Sequence, residues 1–154
     1  MSDVSLQRAA TIGAPPEVVW ATLADFDAIS AWAGNVDHSS ATTETTGGVG
    51  AARRVQAGRV VLIETVTVWE APTTLAYTLD GLPPLARTVT NRWDLAPAPG
   101  DATSVILTTT LEPLGGPKGR IGQRILGRVL GKAADDLVQG LAAHDHTAPG
   151  GTPA

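Results

Sequence analysis

The chain has 154 residues, of which 43% are hydrophobic and 17% are charged, and its formal net charge is −4. This size and composition are typical of one folded domain and exclude an intrinsically disordered chain. The negative charge argues against DNA as a partner, and the absence of cysteine excludes disulfides, thiolate metal sites and cysteine nucleophiles. The first residues lack the pattern of a secretion signal, and no apolar run reaches the roughly 20 residues of a membrane span, so we expect a cytoplasmic protein.

The first third of the chain predicts one strand and two short helical segments. Residues 4–12 alternate between apolar and polar side chains and predict the strand. Pro15 and Pro16 then mark the start of a helix, because the first helical turn tolerates proline. Residues 25–32 predict a second short helical piece, and residues 35–43 a weak strand.

The middle of the chain predicts an antiparallel meander. Residues 60–69 carry the strongest strand pattern. Their even positions are the more aliphatic, so that set is predicted to point inward and includes Glu64, whereas Trp69 belongs to the outer set. The inward residues predicted for the strands that follow include Tyr77, Arg87, Asn91, Trp93 and Thr109.

Residues 117–144 predict one long helix, which at ~1.5 Å per residue would extend roughly 40 Å. Its apolar residues recur at three-and-four spacing, including Ile121, Ile125 and Val129. A line of basic side chains is predicted along the exposed face, formed by Arg120, Arg124, Arg128 and Lys132. The tail over residues 145–154 is rich in Pro, Gly, Thr and Ala and is expected to be disordered.

The order of these elements predicts the fold class. One strand, two short helices, six further strands and a long helix indicate a single α+β domain over residues 1–144. Short turns between consecutive strands favour an antiparallel sheet. We expect this sheet to curve around the long helix.

Several short motifs support a closer assignment. They are APPEVVW at 14–20, Asp25-Phe26, Trp32, GVGAAR at 48–53, VWEAP at 68–72, LAY at 75–77 and WDL at 93–95. With these motifs, residues 4–144 resemble the START/Bet v 1-like (SRPBCC) superfamily, in particular its polyketide cyclase/dehydrase-like branch. The resemblance implies a helix-grip fold, with seven antiparallel strands wrapped around the C-terminal helix. It also implies an apolar cavity for a small hydrophobic ligand, but no fixed catalytic constellation and no cofactor.

Charged residues on the predicted inner faces are the first candidates for chemistry. A buried charge costs roughly several kcal/mol unless it is paired. Glu64 and Arg87 could therefore pair with each other or with Arg53 and close one end of the core. Alternatively they face the cavity, where Glu64 could act as a catalytic acid or base and Arg87 could steady an enolate.

The expected ligand contacts combine a few polar groups with an apolar wall. Tyr77 and Asn91 are the main polar candidates, although a tyrosine and an asparagine held in the core would show the same pattern. The full predicted set is Trp32, Arg53, Tyr77, Asn91, Trp93, Thr109, Ile121, Ile125 and Val129.

The cavity is predicted along residues 121–133, because the glycines of that half of the helix would leave room for a ligand or allow close approach of the sheet. No metal site is expected, since neither His38 nor the pair His144 and His146 has enough converging ligands.

Three functions remain open at this stage. The first is binding of a small hydrophobic molecule, which we favour. The second is a cyclase, aromatase or dehydratase that uses acid-base chemistry in the same cavity. The third is a lipid or quinone carrier or a ribosome-associating factor, in which the basic line Arg120, Arg124, Arg128 and Lys132 contacts a membrane surface or RNA. A monomer and a homodimer are both compatible with the sequence.

Overall fold

The computed structural model describes residues 3–146, which form one antiparallel sheet with helices before and after it in the chain. In chain order the elements are β1 (Val4–Ile12), α1 (Pro16–Ala24), a 3₁₀ helix (Phe26–Ala31), β2 (His38–Ala41), β3 (Ala52–Ala57), β4 (Val60–Glu70), β5 (Thr74–Asp80), β6 (Ala86–Ala98), β7 (Ala102–Pro113) and α2 (Gly116–Ala143). The predicted order of strands and helices is confirmed.

The sheet has seven strands in the order β1-β7-β6-β5-β4-β3-β2 within the described part of the chain. Strands that follow one another pair through turns, except that β1 pairs with the last strand, β7. This pairing returns the start of the chain to the strand that precedes α2. The predicted α+β class with a seven-stranded antiparallel sheet is therefore confirmed.

Helix α2 packs against the sheet and forms two apolar clusters with it. The larger one contains Trp93 and Leu107, which are completely buried, together with Leu141 of α2. The smaller one joins Val89 and Leu111 of the sheet to Leu126 and Leu130 of α2. The core is thus divided along the helix into two parts.

Two β-bulges reverse the side-chain direction predicted for two residues. The first lies between Val66 and Val68, and it turns Trp69 from the predicted outer face toward the core, where its ring lies 5.3 Å from that of Trp20. The second lies between Ala86 and Thr88, and it leaves Arg87 exposed instead of inward. A bulge adds one residue to a strand, which shifts the two-residue alternation by one position.

Helix α2 has the predicted length, but it buries fewer of its apolar residues than the sequence pattern predicts. Ile121, Ile125 and Val129 were all expected on the buried side, yet they are 61%, 48% and 54% exposed. The helix closely approaches the loop after β5 at Gly122, where an added Cβ would be 2.6 Å from the Leu85 carbonyl oxygen. This close approach brings the glycine side of the helix inward and leaves the isoleucines near its edge.

The predicted tail falls mostly on residues 147–154, which lie outside the described residues. Asp145 and His146, its first two residues, are described, and the ring of His146 is buried. Its Nε2 lies 2.8 Å from the Leu141 carbonyl oxygen and its Nδ1 lies 3.1 Å from Thr22 Oγ1. A carbonyl oxygen only accepts, so Nε2 donates and the end of α2 is joined to α1.

Candidate ligand-binding cavity

A cavity of about 630 Å³ lies between the sheet and α2. This volume is within the range of about 300–1,000 Å³ that small-molecule sites occupy. Its wall draws on both apolar clusters, with Val36, Val55 and Leu137 from the larger and Leu126 and Leu130 from the smaller. The division of the core therefore coincides with a space that can hold a ligand.

Four polar side chains lie on the sheet side of this cavity. Tyr77, Asn91 and Thr109 are direct cross-strand neighbours on β5, β6 and β7, so they form one row across the sheet. Glu64 of β4 lies opposite Leu79, two residues from Tyr77. All four were predicted to point inward, and the structure places all of them on the cavity wall.

Hydrogen bonds within the row determine which polar atoms remain for a ligand. Thr109 Oγ1 donates to Asn91 Oδ1 over 2.6 Å, and Trp93 Nε1 donates to the Tyr77 hydroxyl oxygen over 3.2 Å. The Tyr77 hydroxyl also interacts with the side chain of Asn91. Since the oxygen of Tyr77 accepts from its neighbours, its own O–H remains as a donor.

Glu64 is held from behind by Arg53, which pairs with it directly across β3 and β4. Arg53 Nε donates to Glu64 Oε1 over 2.8 Å, and Nη2 lies 2.7 Å from the same oxygen, within ion-pair distance but not aligned for a hydrogen bond. Nη1 donates to the Phe26 carbonyl oxygen over 2.7 Å. Because both contacts use Oε1, the second carboxylate oxygen of Glu64 is left for the cavity.

Aromatic rings complete the surroundings of Arg53. The guanidinium carbon lies 3.7 Å from the ring centre of Phe26 and 4.6 Å from that of Tyr77. Such cation–π contacts gain strength where water is excluded, and Arg53 is only 2% exposed. Arg53 therefore fixes the position of Glu64 and compensates its charge, without itself reaching the cavity.

The pKa of Tyr77 is raised above its ordinary value. Burial is the largest cause, and the nearby charge of Glu64 adds to it, whereas Arg53 and the hydrogen bonds from Trp93 and Asn91 lower the pKa by smaller amounts. The phenol is therefore neutral near pH 7 and keeps its proton for donation.

The predicted site residues divide into two groups. Six of them line the cavity: Glu64, Tyr77, Asn91, Thr109, Ile125 and Val129. The others do not. Arg53 and Trp93 lie behind its wall, and Ile121 and Arg87 are exposed outside it. Trp32 faces two surface grooves, and the centre of its ring lies 6.0 Å from that of Trp93.

Glu64 thus combines the two alternatives considered for it. It forms the predicted ion pair with Arg53, not with Arg87, and it also lines the cavity. Arg87 is no longer a candidate for chemistry there, because the bulge turns its side chain to the exposed face.

Several wall residues were not predicted as site residues. The loop after β5 contributes Leu82, Pro83 and Leu85. Helix α2 contributes Arg128, which is exposed and lies at the mouth, the solvent-facing end of the cavity. The sequence could have predicted these loop residues as cavity lining, because large apolar side chains in a Gly- and Pro-containing loop are rarely left exposed. Along α2 the cavity extends over residues 125–137, about one helical turn beyond the predicted 121–133.

Other features of the surface bear on the remaining hypotheses. The predicted basic line is exposed, and within it Lys132 forms an ion pair with Asp136 at 3.1 Å. His38 is exposed as well. Between residues 3 and 146, no three His, Asp or Glu side chains are grouped closely enough to hold a metal ion, and no helix has the length and hydropathy to cross a membrane.

The sheet, the long helix that it grips and the cavity between them define the Bet v 1-like helix-grip class of proteins. Within that class, the chain belongs to the family described as "Polyketide cyclase / dehydrase and lipid transport", whose profile matches residues 3–144. This confirms the resemblance noted in the sequence. No curated protein sequence matches the chain.

Solved structures show the same fold. The aromatase/cyclase ZhuI from Streptomyces sp. R1128 is 16% identical, with a TM-score of 0.73 and coverage of 92% of each chain. The crystal structure of Ara h 8.0201 is 15% identical, with a TM-score of 0.68, and covers 93% of this chain and all of its own. A solution structure from Thermobifida fusca is 22% identical, with a TM-score of 0.68 and coverage of 92% and 95%. At these identities the similarity establishes the fold alone.

Proposed function

We propose that the protein binds a small hydrophobic molecule, of polyketide, lipid or aromatic type, in the cavity between the sheet and α2. The observation that carries this proposal is a largely apolar cavity of about 630 Å³ in which four buried polar side chains come from adjacent strands of the sheet. Each Å² of apolar ligand surface removed from water contributes about 25 cal/mol, so the aliphatic wall supplies affinity. The four polar groups then set the orientation of the ligand.

The proposal is tested by blocking the cavity from α2. Ala133 lines the cavity and Ala142 is exposed on the same helix outside it, so Ala133→Trp and Ala142→Trp form a matched pair. We expect wild type and Ala142→Trp to bind the neutral dye N-phenylnaphthylamine with increased fluorescence. Ala133→Trp should bind it at least about tenfold more weakly, because the indole occupies the space of the ligand.

Thermal unfolding and native mass spectrometry complete this experiment. Both variants should melt within a few degrees of wild type, which separates loss of the cavity from loss of the fold. Native mass spectrometry of the freshly purified protein should detect a co-purified small molecule in wild type and not in Ala133→Trp. Undiminished dye binding by a folded Ala133→Trp protein would show that the dye binds elsewhere.

A cyclase- or dehydratase-type activity is the second candidate, and one observation favours it. Glu64 offers a carboxylate oxygen and Tyr77 offers an O–H on the same wall, close enough for the charge of Glu64 to affect the pKa of the phenol. Such a pair can accept a proton next to a carbonyl while donating a hydrogen bond to the enolate. If so, Glu64→Gln should abolish turnover of a model β-polyketone but retain dye binding. Unchanged turnover would remove Glu64 from the reaction.

A further inference from the structure

We propose that the ligand is bipolar, with a hydroxyl group at the buried end against Glu64 and Tyr77, an apolar body, and an anionic group at the mouth against Arg128. This inference rests on the proposed binding function and adds the chemical class of the ligand. It follows from which polar atoms of the cavity are already engaged and which are not.

The buried end offers one strong acceptor and one donor. Among the polar side chains of the sheet, Glu64 Oε1 is taken by Arg53 and Asn91 Oδ1 by Thr109, so the second oxygen of Glu64 is the main acceptor there. The O–H of Tyr77 is the donor, because its oxygen already accepts from Trp93. A hydroxyl group both donates and accepts, and therefore satisfies both partners at once.

A carboxylate at the same end would be disfavoured. It would be removed from bulk water and placed beside the carboxylate of Glu64, and burying a charge without a partner is costly. Arg53 compensates the charge of Glu64 from behind the wall, but its nitrogens face Glu64 and Phe26 and it does not line the cavity, so a ligand carboxylate would lose its water without gaining a cationic partner. The polarity of the buried end therefore selects a neutral hydrogen-bonding group.

The mouth, where exposed side chains line the cavity, carries two cationic groups and the carboxylate of Asp136. Arg128 and Lys132 of α2 both line it, together with the half-exposed Ile125 and Val129. Lys132 is engaged by Asp136, whereas Arg128 has no ion-pair partner among the described residues. A guanidinium binds a carboxylate through two parallel hydrogen bonds, so Arg128 is suited to an anionic ligand end.

The test compares five ligands of equal chain length in dye displacement: dodecane, dodecanol, dodecanoic acid, dodecanedioic acid and ω-hydroxydodecanoic acid. We expect the ω-hydroxy acid to bind most tightly to wild type. The dioic acid should bind at least about tenfold more weakly than the ω-hydroxy acid, because its second carboxylate must enter beside Glu64. This comparison needs no change to the buried ion pair.

The anionic end is tested with Arg128→Gln and, as a matched control, Arg120→Gln, because Arg120 is exposed on the same helix outside the cavity. Arg128→Gln should weaken binding of dodecanoic acid and of the ω-hydroxy acid by roughly three- to tenfold and leave dodecanol unchanged. Arg120→Gln should change none of them. Equal losses in both variants would indicate general electrostatic attraction and overturn the assignment to Arg128.

The remaining outcomes separate this inference from the proposed function. If neither the dye nor any of the five compounds binds wild type, the binding function itself fails. If the dye and dodecanol bind but the dioic and ω-hydroxy acids are equal and Arg128→Gln has no effect, the cavity binds hydrophobic ligands and the bipolar ligand is excluded.

Discussion

Arg53 and Glu64 illustrate how a single buried ion pair shapes the wall of a cavity. The two residues face each other directly across β3 and β4, and Arg53 also donates to the Phe26 carbonyl oxygen and lies over two aromatic rings. Removing one partner of such a pair typically costs about 3–5 kcal/mol, because the other charge is left buried alone. The pair therefore holds a carboxylate at the cavity wall that could not remain there by itself.

Tyr77 permits a direct test of the polar surroundings of the cavity, because it is the only tyrosine in the chain. Its raised pKa means that the folded protein binds the phenol proton more tightly than the unfolded chain, whose pKa is about 10. The ultraviolet absorbance of the phenolate should thus appear at higher pH in the native protein than in urea. Superimposable native and unfolded titrations would contradict the buried position of Tyr77.

The same shift has a consequence for stability. The contribution of a group with a raised folded pKa is fully present below its unfolded pKa and is lost as the pH rises through the folded one. The free energy of unfolding should therefore fall as the pH increases above about 10. Tyr77→Phe should flatten that part of the decline, as measured by urea unfolding at a series of pH values.

At the scale of elements, the glycines of α2 have different roles. A Cβ added at Gly119 would overlap the carbonyl oxygen of Leu114, whereas one added at Gly127 would meet no atom within 4 Å. None of the four glycines between residues 119 and 131 lines the cavity. At Gly119 and Gly122 a missing side chain permits close packing of the helix, and the alternative that these residues leave room for a ligand is not supported.

Two glycine-to-alanine substitutions should accordingly change the free energy of unfolding in opposite directions. Gly127→Ala should raise the free energy of unfolding by about 0.5–1 kcal/mol, because alanine is the better helix former and the site is open. Gly119→Ala should lower it by about 1–3 kcal/mol, since the backbone at Leu114 must move. Urea unfolding measures both. A stabilised Gly119→Ala protein would mean that the helix does not approach Leu114 so closely.

At the scale of the whole molecule, the chain closes on itself at two places. Arg8 of β1 pairs with Asp135 of α2, and the buried ring of His146 joins the end of α2 to Thr22 of α1. Both contacts connect the first elements of the chain to the last helix. The first holds α2 against the sheet, and the second holds its C-terminal end against α1.

The contribution of His146 is measurable against a matched control. His146→Ala should lower the free energy of unfolding by about 1–2 kcal/mol, because two partly or fully buried polar groups lose a partner. His38→Ala should change it by less than about 0.5 kcal/mol, since His38 is exposed. Equal effects of the two substitutions in thermal or urea unfolding would show that the histidine contact adds no stability.

The sequence by itself determined the order of the elements, the fold class and the inward direction of Glu64, Tyr77, Asn91 and Thr109. These are properties of local periodicity, because a strand alternates every two residues and a helix repeats every 3.6. The motifs at 14–20 and 48–53 added the family, which the match over residues 3–144 confirms. The motifs could not identify the ligand, since a fold does not specify a function.

Tertiary structure decided what depends on contacts between distant residues. Trp69 and Arg87 changed faces because a bulge adds one residue to a strand, and no local pattern marked either position. Ile121 proved exposed because Gly119 and Gly122 approach backbone carbonyls closely, which rotates the glycine side of α2 inward. The position of the cavity follows from that rotation and from the loop that covers one end. Periodicity shows that a strand or helix has two different faces, but only packing against distant residues determines which side chains are buried.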